Sequence, residues 1–174
     1  MNFNSNTPLK EKDLAQTPVW FYESLQSYLR QRFTLDVCAQ PGTAKCVNYF
    51  ALEDGANGLE LPWCHVNFCN PPFSDITPWI EKAVHEAKQG NITAMIFPDT
   101  TETEYGRLAW DYADTLIRMP FRLKFLRPDG TKFLDAKGKE QGPKFPCVVA
   151  WFTPMGLVSQ TRVNYYDFRI GNGN

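Results

Sequence analysis

The chain lacks the features that define several large classes of protein. No apolar run approaches the ~20 residues that a membrane-spanning helix needs, and the opening residues are polar, unlike a secretory signal. Neither a CxxC nor an HxxxH pair is present, although Cys64, His65 and Cys69 lie close together. These absences argue against membrane, secreted and zinc proteins, and they predict a cytoplasmic protein with no metal.

The chain also lacks an excess of charge of either sign. It has 18 basic and 19 acidic residues, and a net charge of -1 argues against nonspecific affinity for nucleic acid. The average hides a basic segment: between residues 118 and 144, eight Lys and Arg residues accompany three acidic residues, which leaves +5 there and -6 elsewhere. Such a segment is typical of a phosphate-contacting loop, and equally of a solvated, lysine-rich hairpin tip.

The composition is that of an ordinary folded domain. Hydrophobic residues make up 43% and charged residues 21% of 174 residues, enough to bury a core without disulfides. The five cysteines form an odd set, mostly in apolar stretches, and are interpreted as reduced cysteines. Residues 1–16 carry no periodic pattern, so we predict a flexible N-terminal tail and one domain over residues 17–170.

Strand and helix patterns alternate up to about residue 112. Thr17 and Pro18 open a predicted helix over residues 18–31. The remaining predicted elements are strands at 33–39, 47–52, 65–69 and 92–97 and helices at 79–90 and 105–112. This alternation predicts an α/β fold, with a mostly parallel central sheet and helices on both faces.

After Asp114 the pattern changes to strands alone. They are predicted at Leu116–Met119, Leu123–Leu126 and residues 146–153, with a turn at residues 128–130 and an edge strand at 165–168. We therefore expect an antiparallel C-terminal hairpin.

Three strand ends carry polar residues or proline. They are residues 36–39, 70–73 and 98–100. Ligands of open parallel sheets bind at the carboxyl ends of the strands, so we expect the functional site there. Asp99 and Thr100 are alternatively helix caps.

Four segments in register resemble one known family. Asn70-Pro71-Pro72-Phe73 is similar to the tetrapeptide of amino-methyltransferases: Asp, Asn or Ser, two prolines and an aromatic residue. The order of Thr17–Tyr22, Leu35–Ala39, Asn70–Ser74 and Arg122–Phe125 resembles the phage Dam-like DNA N6-adenine methyltransferases. The resemblance runs from residue 17 to about 153. It implies a single-domain, Rossmann-like class I methyltransferase fold that uses S-adenosylmethionine.

The resemblance also implies a catalytic role for the tetrapeptide. The Asn70 side-chain oxygen and the Pro71 carbonyl would each accept a hydrogen bond from one N–H group of adenine's exocyclic amine, while Pro71 and Pro72 fix the backbone. Phe73 would stack on an adenine flipped out of the duplex. Transfer would be a direct displacement without a covalent enzyme intermediate. The simplest alternative is a strand-ending turn.

Further residues are expected to bind the cofactor. The residues implied by the resemblance, beside Asn70, are Thr17, Pro18, Trp20, Phe21, Asp36, Cys38 and Ala39. Trp20 is equally interpretable as core, and Asp36 as a capping carboxylate. The Gly-rich GxG of the wider superfamily is missing, and residues 38–42 stand in its place. Glu53 or Asp54 follows the second strand, where an acid commonly binds ribose hydroxyls; a solvated loop is the alternative.

The predicted partner is duplex DNA with a flipped adenine, in a bacterial or phage-infected cell. The residues expected to contact DNA are Phe73, Ser74, Arg122, Lys124, Arg127 and Lys132. Other acceptors remain open: RNA adenine, cytosine N4 or protein glutamine, as does an inactive nucleic-acid-binding module. Pro146-Cys147 is similar to the nucleophile of cytosine-C5 methyltransferases, but its position in a late strand indicates core. His85 is interpreted as a surface residue.

Overall fold

A computed structural model describes residues 12–170. Its helices are α1 (Val19–Leu29), α2 (Thr77–Lys88) and α3 (Glu104–Tyr112). Its strands are β1 (Leu35–Asp36), β2 (Asn48–Tyr49), β3 (Val66–Cys69), β4 (Ile92–Pro98), β5 (Thr115–Arg118), β6 (Cys147–Phe152) and β7 (Arg162–Tyr165). Within this range no helix has the length and apolar character needed to cross a membrane.

The seven strands form one mixed sheet in the order β2-β1-β3-β4-β6-β5-β7. Strand β6 runs antiparallel to both of its neighbours, β4 and β5, and every other pairing is parallel. β1 and β3 are held in register by the pairs Leu35 with Asn67 and Asp36 with Phe68. The predicted α/β class is confirmed.

Helices cover both faces of the sheet, as the sequence predicted. In β4, Met95 and Phe97 pack in the apolar cluster that contains α2 and α3. Ala94 and Ile96 pack in the cluster that contains α1. Successive strand residues point to opposite faces, so a strand buried on both sides is apolar throughout. This explains why the run Ile92–Phe97 shows no polar alternation.

The C-terminal part differs from the predicted hairpin. β5 and β6 do pair antiparallel, but residues 119–146 separate them. Leu123–Leu126 is not a strand: Leu126 forms only isolated bridges, to Gln16 and Lys132. Leu123 and Phe125 are buried by side-chain packing on the α1 face rather than by ladder pairing, which explains their apolar character.

The edge strand also differs from the prediction. It covers Arg162–Tyr165 instead of residues 165–168, and it pairs parallel with β5. Tyr166 and Phe168, which carried the prediction, instead pack against the Tyr28 ring of α1 at centroid distances of 4.3 and 5.6 Å. Aromatic residues are favoured in strands and cores alike, so their presence did not fix the strand boundary.

Candidate active site

The site lies where the chain reverses direction across the sheet. From β1 the chain moves outward to β2, then returns past β1 to β3 and β4. Such a switch point opens a crevice at the carboxyl ends of the two central strands. Here it is a cavity of about 190 Å³. Polar and backbone groups from three segments line it: Asp13–Thr17, Asp36–Gln40 with Thr43 and Lys45, and Asn70 with Pro72.

Asn70 directly follows β3 and presents an acceptor at the cavity. Its Nδ2 donates to the Ala15 carbonyl at 3.0 Å. Among residues 12–170, no donor is bonded to its Oδ1. The prolines that follow end the strand because they cannot donate to a ladder. Asn70 and Pro72 line the cavity, whereas Pro71 is buried beside it.

Phe73 lies outside the cavity lining, on the side of residues 119–146. Its ring meets Phe125 edge-on at 5.5 Å between centroids and Phe145 at 6.1 Å. Aromatic pairs at these distances stabilise a fixed ring position. The tetrapeptide therefore joins the cavity to the basic segment, and Phe73 remains half-buried at that junction.

Asp36 ends β1 as a buried carboxylate in the cavity wall. Only 4% of the residue is exposed. Its Oδ2 accepts from the Lys45 N–H at 3.0 Å and its Oδ1 from the Cys38 N–H at 3.4 Å. Burial raises the pKa of Asp36 to about 6, and the hydrogen bonds from the Lys45 and Cys38 N–H groups oppose that shift only in part. A cation placed in the cavity would stabilise the ionised form.

Thr17 carries a buried hydroxyl without a partner. The residue is 1% exposed and lines the cavity, and in the described part of the chain nothing is hydrogen-bonded to its Oγ1. A buried, unsatisfied hydroxyl costs about 1–3 kcal/mol. Ser24 and Thr93 also carry buried hydroxyls without a partner in the described part of the chain, but only Thr17 lines the cavity. The hydroxyl is suited to bind a polar ligand atom.

Residues 12–16 form a strap along the cavity, where the sequence predicted part of a flexible tail; residues 1–11 lie outside the described range. Asp13 accepts from the Ser74 hydroxyl at 2.6 Å, and the Leu14 carbonyl accepts from Gln40 Nε2 at 3.2 Å. Gln16 and Leu126 exchange two backbone hydrogen bonds of 2.9 Å. Several of these bonds use backbone groups, which leave no periodic pattern in the sequence.

Several predicted cofactor residues do not reach the cavity. Phe21 is fully buried, with its ring 5.0 Å from that of Phe168, and Trp20 packs against Phe121. Pro18 is buried but is not part of the lining, so only Thr17 of that motif contributes. Amphipathic α1 directs Phe21, Tyr22 and Leu25 into the core, while Trp20 is partly buried at the edge of the same cluster.

The loops after β1 and β2 carry further residues that the sequence predicts to bind the cofactor. Cys38 and Ala39 line the cavity. Both acids after β2 are exposed, and of the two only Glu53 lines the cavity. Sequence reasoning missed Lys45 and Gln16, whose side chains meet at the cavity. The position of Lys45 between the first two predicted strands was a signal that could have identified it.

The basic segment is partly neutralised within itself. Glu140 accepts from Lys124 at 3.2 Å and from Lys132 at 3.4 Å, while the Arg127 guanidinium lies 5.7 Å from the Phe133 ring centre. Arg122 is exposed. These exposed pairs contribute little to stability. Their cations are therefore available to phosphate at little structural cost.

The remaining polar candidates have structural surroundings. Asp99 pairs with Arg118 at 2.7 Å, and Thr100 bonds Thr103 and Tyr105 at the start of α3. Cys147 is 1% exposed in β6, where burial raises the pKa of its thiol to about 12. His85 is exposed on α2. Within residues 12–170, no three His, Cys, Asp or Glu residues are grouped to hold a metal ion.

A cavity at a switch point of an α/β sheet, with an Asn-Pro-Pro segment in its wall, is typical of α/β proteins that bind a ligand at the strand ends. Comparison with known families is more specific. Residues 4–169 match the family described as DNA N-6-adenine-methyltransferase (Dam). That match spans nearly the whole chain, so the chain belongs to this family, in agreement with the resemblance of its four motifs.

Two individual proteins match the chain over only part of their length. A protein of Haemophilus phage HP1 named DNA N-6-adenine-methyltransferase is 32% identical over 98 residues, which are 55% of this chain and 55% of the relative. The chain thus spans about half the length of this curated relative. The M protein of the type I restriction enzyme EcoKI matches 71% of this chain and 31% of its own, at 17% identity and a TM-score of 0.39.

Proposed function

We propose that this chain is an S-adenosylmethionine-dependent DNA methyltransferase, with a Rossmann-like class I fold, that methylates the N6 amine of adenine. The observation that carries the proposal is the convergence of three groups in one cavity: the buried Asp36 carboxylate, and the Asn70 Oδ1 and Thr17 hydroxyl, neither of which has a hydrogen-bond donor or partner within residues 12–170. Family membership supplies the acceptor class.

The cavity wall suits a cationic cofactor. Three carboxylates, of Asp13, Asp36 and Glu53, face one cation, Lys45, so the formal charge of the lining is -2 at neutral pH. S-adenosylmethionine carries a sulfonium, an ammonium and a carboxylate, with a net charge of +1. When bound, it supplies an electrophilic methyl group. Asp36 and Thr17, with the loop residues Cys38 and Ala39, are the groups that would hold it.

The tetrapeptide prepares the acceptor amine. The lone pair of an exocyclic adenine nitrogen is delocalised into the ring, so two hydrogen-bond acceptors are needed to draw its N–H bonds out of plane. Asn70 Oδ1 is one, and the Pro71 carbonyl is the second. Because the Asn70 amide nitrogen is bonded to the strap, its oxygen remains as the acceptor. Correct positioning then permits direct transfer.

Phe73 and residues 119–146 would hold the DNA. A flipped base loses its stacking, and a half-buried aromatic ring at the edge of the site offsets part of that loss. Arg122, Lys124, Arg127 and Lys132 lie on the segment that packs on this ring through Phe125 and Phe145. Their charges would contact phosphates close to the flipped base, while Ser74 is held by Asp13 of the strap.

The test is incorporation of label from tritiated S-adenosylmethionine into duplex DNA, followed by nucleoside analysis. We expect N6-methyladenine. Asn70→Ala should lower turnover at least 100-fold while cofactor affinity changes little, because the lost group contacts the acceptor amine. Asn164→Ala on the exposed edge strand β7 is the matched control and should retain wild-type turnover.

Other products would contradict parts of the proposal. N4-methylcytosine, or label only in RNA or in protein glutamine, would retain the amino-methyltransferase chemistry and exclude the DNA adenine acceptor. DNA binding without transfer at saturating cofactor would indicate an inactive binding module. Full turnover by Asn70→Ala would refute the role assigned to that side chain.

A further inference from the structure

Lys45 contributes a positive charge to the cavity. It lies in the loop between β1 and β2, and it is the only Lys or Arg among the described residues that line the cavity. Its Nζ donates to the neutral Gln16 Oε1 at 2.9 Å, and within residues 12–170 it forms no ion pair with a carboxylate. A cation that is partly withdrawn from water has here only a neutral partner.

The backbone N–H of Lys45 binds the Asp36 carboxylate, whereas its side chain is itself a cation. Its N–H donates to Asp36 Oδ2 at 3.0 Å, while its ammonium stands at the same cavity. Burial lowers the pKa of Lys45, an effect that the charge of Asp36 opposes. The end of β1 and the loop after it therefore place an anionic and a cationic side chain at the same cavity. A zwitterionic amino acid presents the two complementary charges.

Residues 38–42, in the loop after β1, provide few other hydrogen-bond donors for an anion. A Gly-rich turn would offer successive backbone N–H groups to a ligand. Here residues 38–42 replace it, and Pro41 has no N–H. The Ala39 N–H is already bonded to the Phe50 carbonyl at 2.9 Å, and the Cys38 N–H to Asp36. Among the described residues that line the cavity, Lys45 alone carries a positive charge that could pair with a ligand carboxylate.

We propose that Lys45 binds the α-carboxylate at the amino-acid end of S-adenosylmethionine, while Asp36 faces the α-ammonium. The inference rests on the proposed function. An ammonium has three donors, so Lys45 can retain its bond to Gln16 and donate to the carboxylate as well. Gln16 thereby acts as a positioning residue, since its Nε2 is fixed by the Arg127 carbonyl at 3.0 Å.

The test compares S-adenosylmethionine with its decarboxylated analogue by calorimetric titration of the full chain. Hydrogen bonds to charged groups correspond to about a 10- to 100-fold difference in affinity, which is the preference expected of the wild type. In Lys45→Met that preference should fall to about threefold or less. Lys88→Met, an exposed change on α2, should retain the wild-type preference.

The possible results distinguish failure of the Lys45 inference from failure of the proposed function. A wild-type preference that persists in Lys45→Met overturns the inference, as does equal binding of both ligands by the wild type. If Lys45→Met does not fold, as judged by its unfolding curve, Lys45→Gln is used with the same expected loss. A wild type that binds neither S-adenosylmethionine nor its demethylated product instead refutes the proposed function.

Discussion

Replacing Asp36 by Asn should remove a specific pH dependence of stability. In the folded chain burial raises the pKa of Asp36 from 3.8 to about 6. Between these two values the folded state retains a proton that the unfolded state has released. The free energy of unfolding therefore falls as the pH rises through this range.

The magnitude follows from the shift. A difference of about two pKa units corresponds to about 3 kcal/mol, with a steepest slope of about 1.4 kcal/mol per pH unit. The stability of the wild type relative to Asp36→Asn should thus decline by about 3 kcal/mol from pH 4 to pH 7 and then level off. The amide also loses one acceptor for the N–H groups of Cys38 and Lys45, a cost of about 1 kcal/mol that does not vary with pH.

Urea unfolding at half-unit pH intervals measures this difference. Subtracting the two proteins cancels the titration of all other groups, and Asp111→Asn, an exposed change on α3, serves as the control. A wild-type minus Asp36→Asn difference that stays constant from pH 4 to pH 7 would refute the reasoning. With S-adenosylmethionine present, affinity should instead rise with pH through 6 in the wild type and stay flat in Asp36→Asn, because the cation favours the ionised carboxylate.

Three other substitutions, the last with a control at Gly142, give expectations of different kinds. Thr17→Val removes a buried hydroxyl that has no partner among residues 12–170, so it should raise the free energy of unfolding by about 1 kcal/mol. The same change should weaken cofactor binding about fivefold in calorimetry, and a loss of stability would contradict the expectation. Lys132→Ala should lower the salt slope of DNA binding by about 0.9 if that ammonium neutralises one phosphate, as measured by anisotropy titrations. Gly58→Ala should destabilise by about 3 kcal/mol in urea, because its Cβ would lie 2.0 Å from the Val37 carbonyl oxygen. Gly142→Ala, where a flexible side chain lies 3.2 Å away, should change stability little.

Much of the site could be located from sequence because its signals are local. An apolar run stopped by two prolines identifies a strand end, and Asn70 is found there, directly after β3. The apolar surroundings of Cys147 predicted a core position, and burial in β6 agrees with that. Periodicity along a chain reports which face of an element is buried, so both inferences needed only neighbouring residues.

The composition of the cavity required contacts between distant segments. Asn70 and Ala15 are 55 residues apart, and Gln16 pairs with Leu126 from 110 residues away. The aromatic residues of α1 matched a family motif, yet packing against the sheet directs Phe21 into the core. No local pattern encodes such pairings, because they depend on where the sheet places each loop.

The sequence by itself determined the α/β class, the approximate positions of the buried strands β3 to β6 and the strand end at Asn70-Pro71-Pro72. These follow from hydrophobic periodicity and from the inability of proline to extend a strand. Only the tertiary structure decided that residues 13–16 border the cavity, that Glu53 rather than Asp54 lines it, and that Lys45 is its one cation in the described chain. The physical reason is that a cavity is formed by loops from separate strands, whose proximity is a property of the assembled sheet.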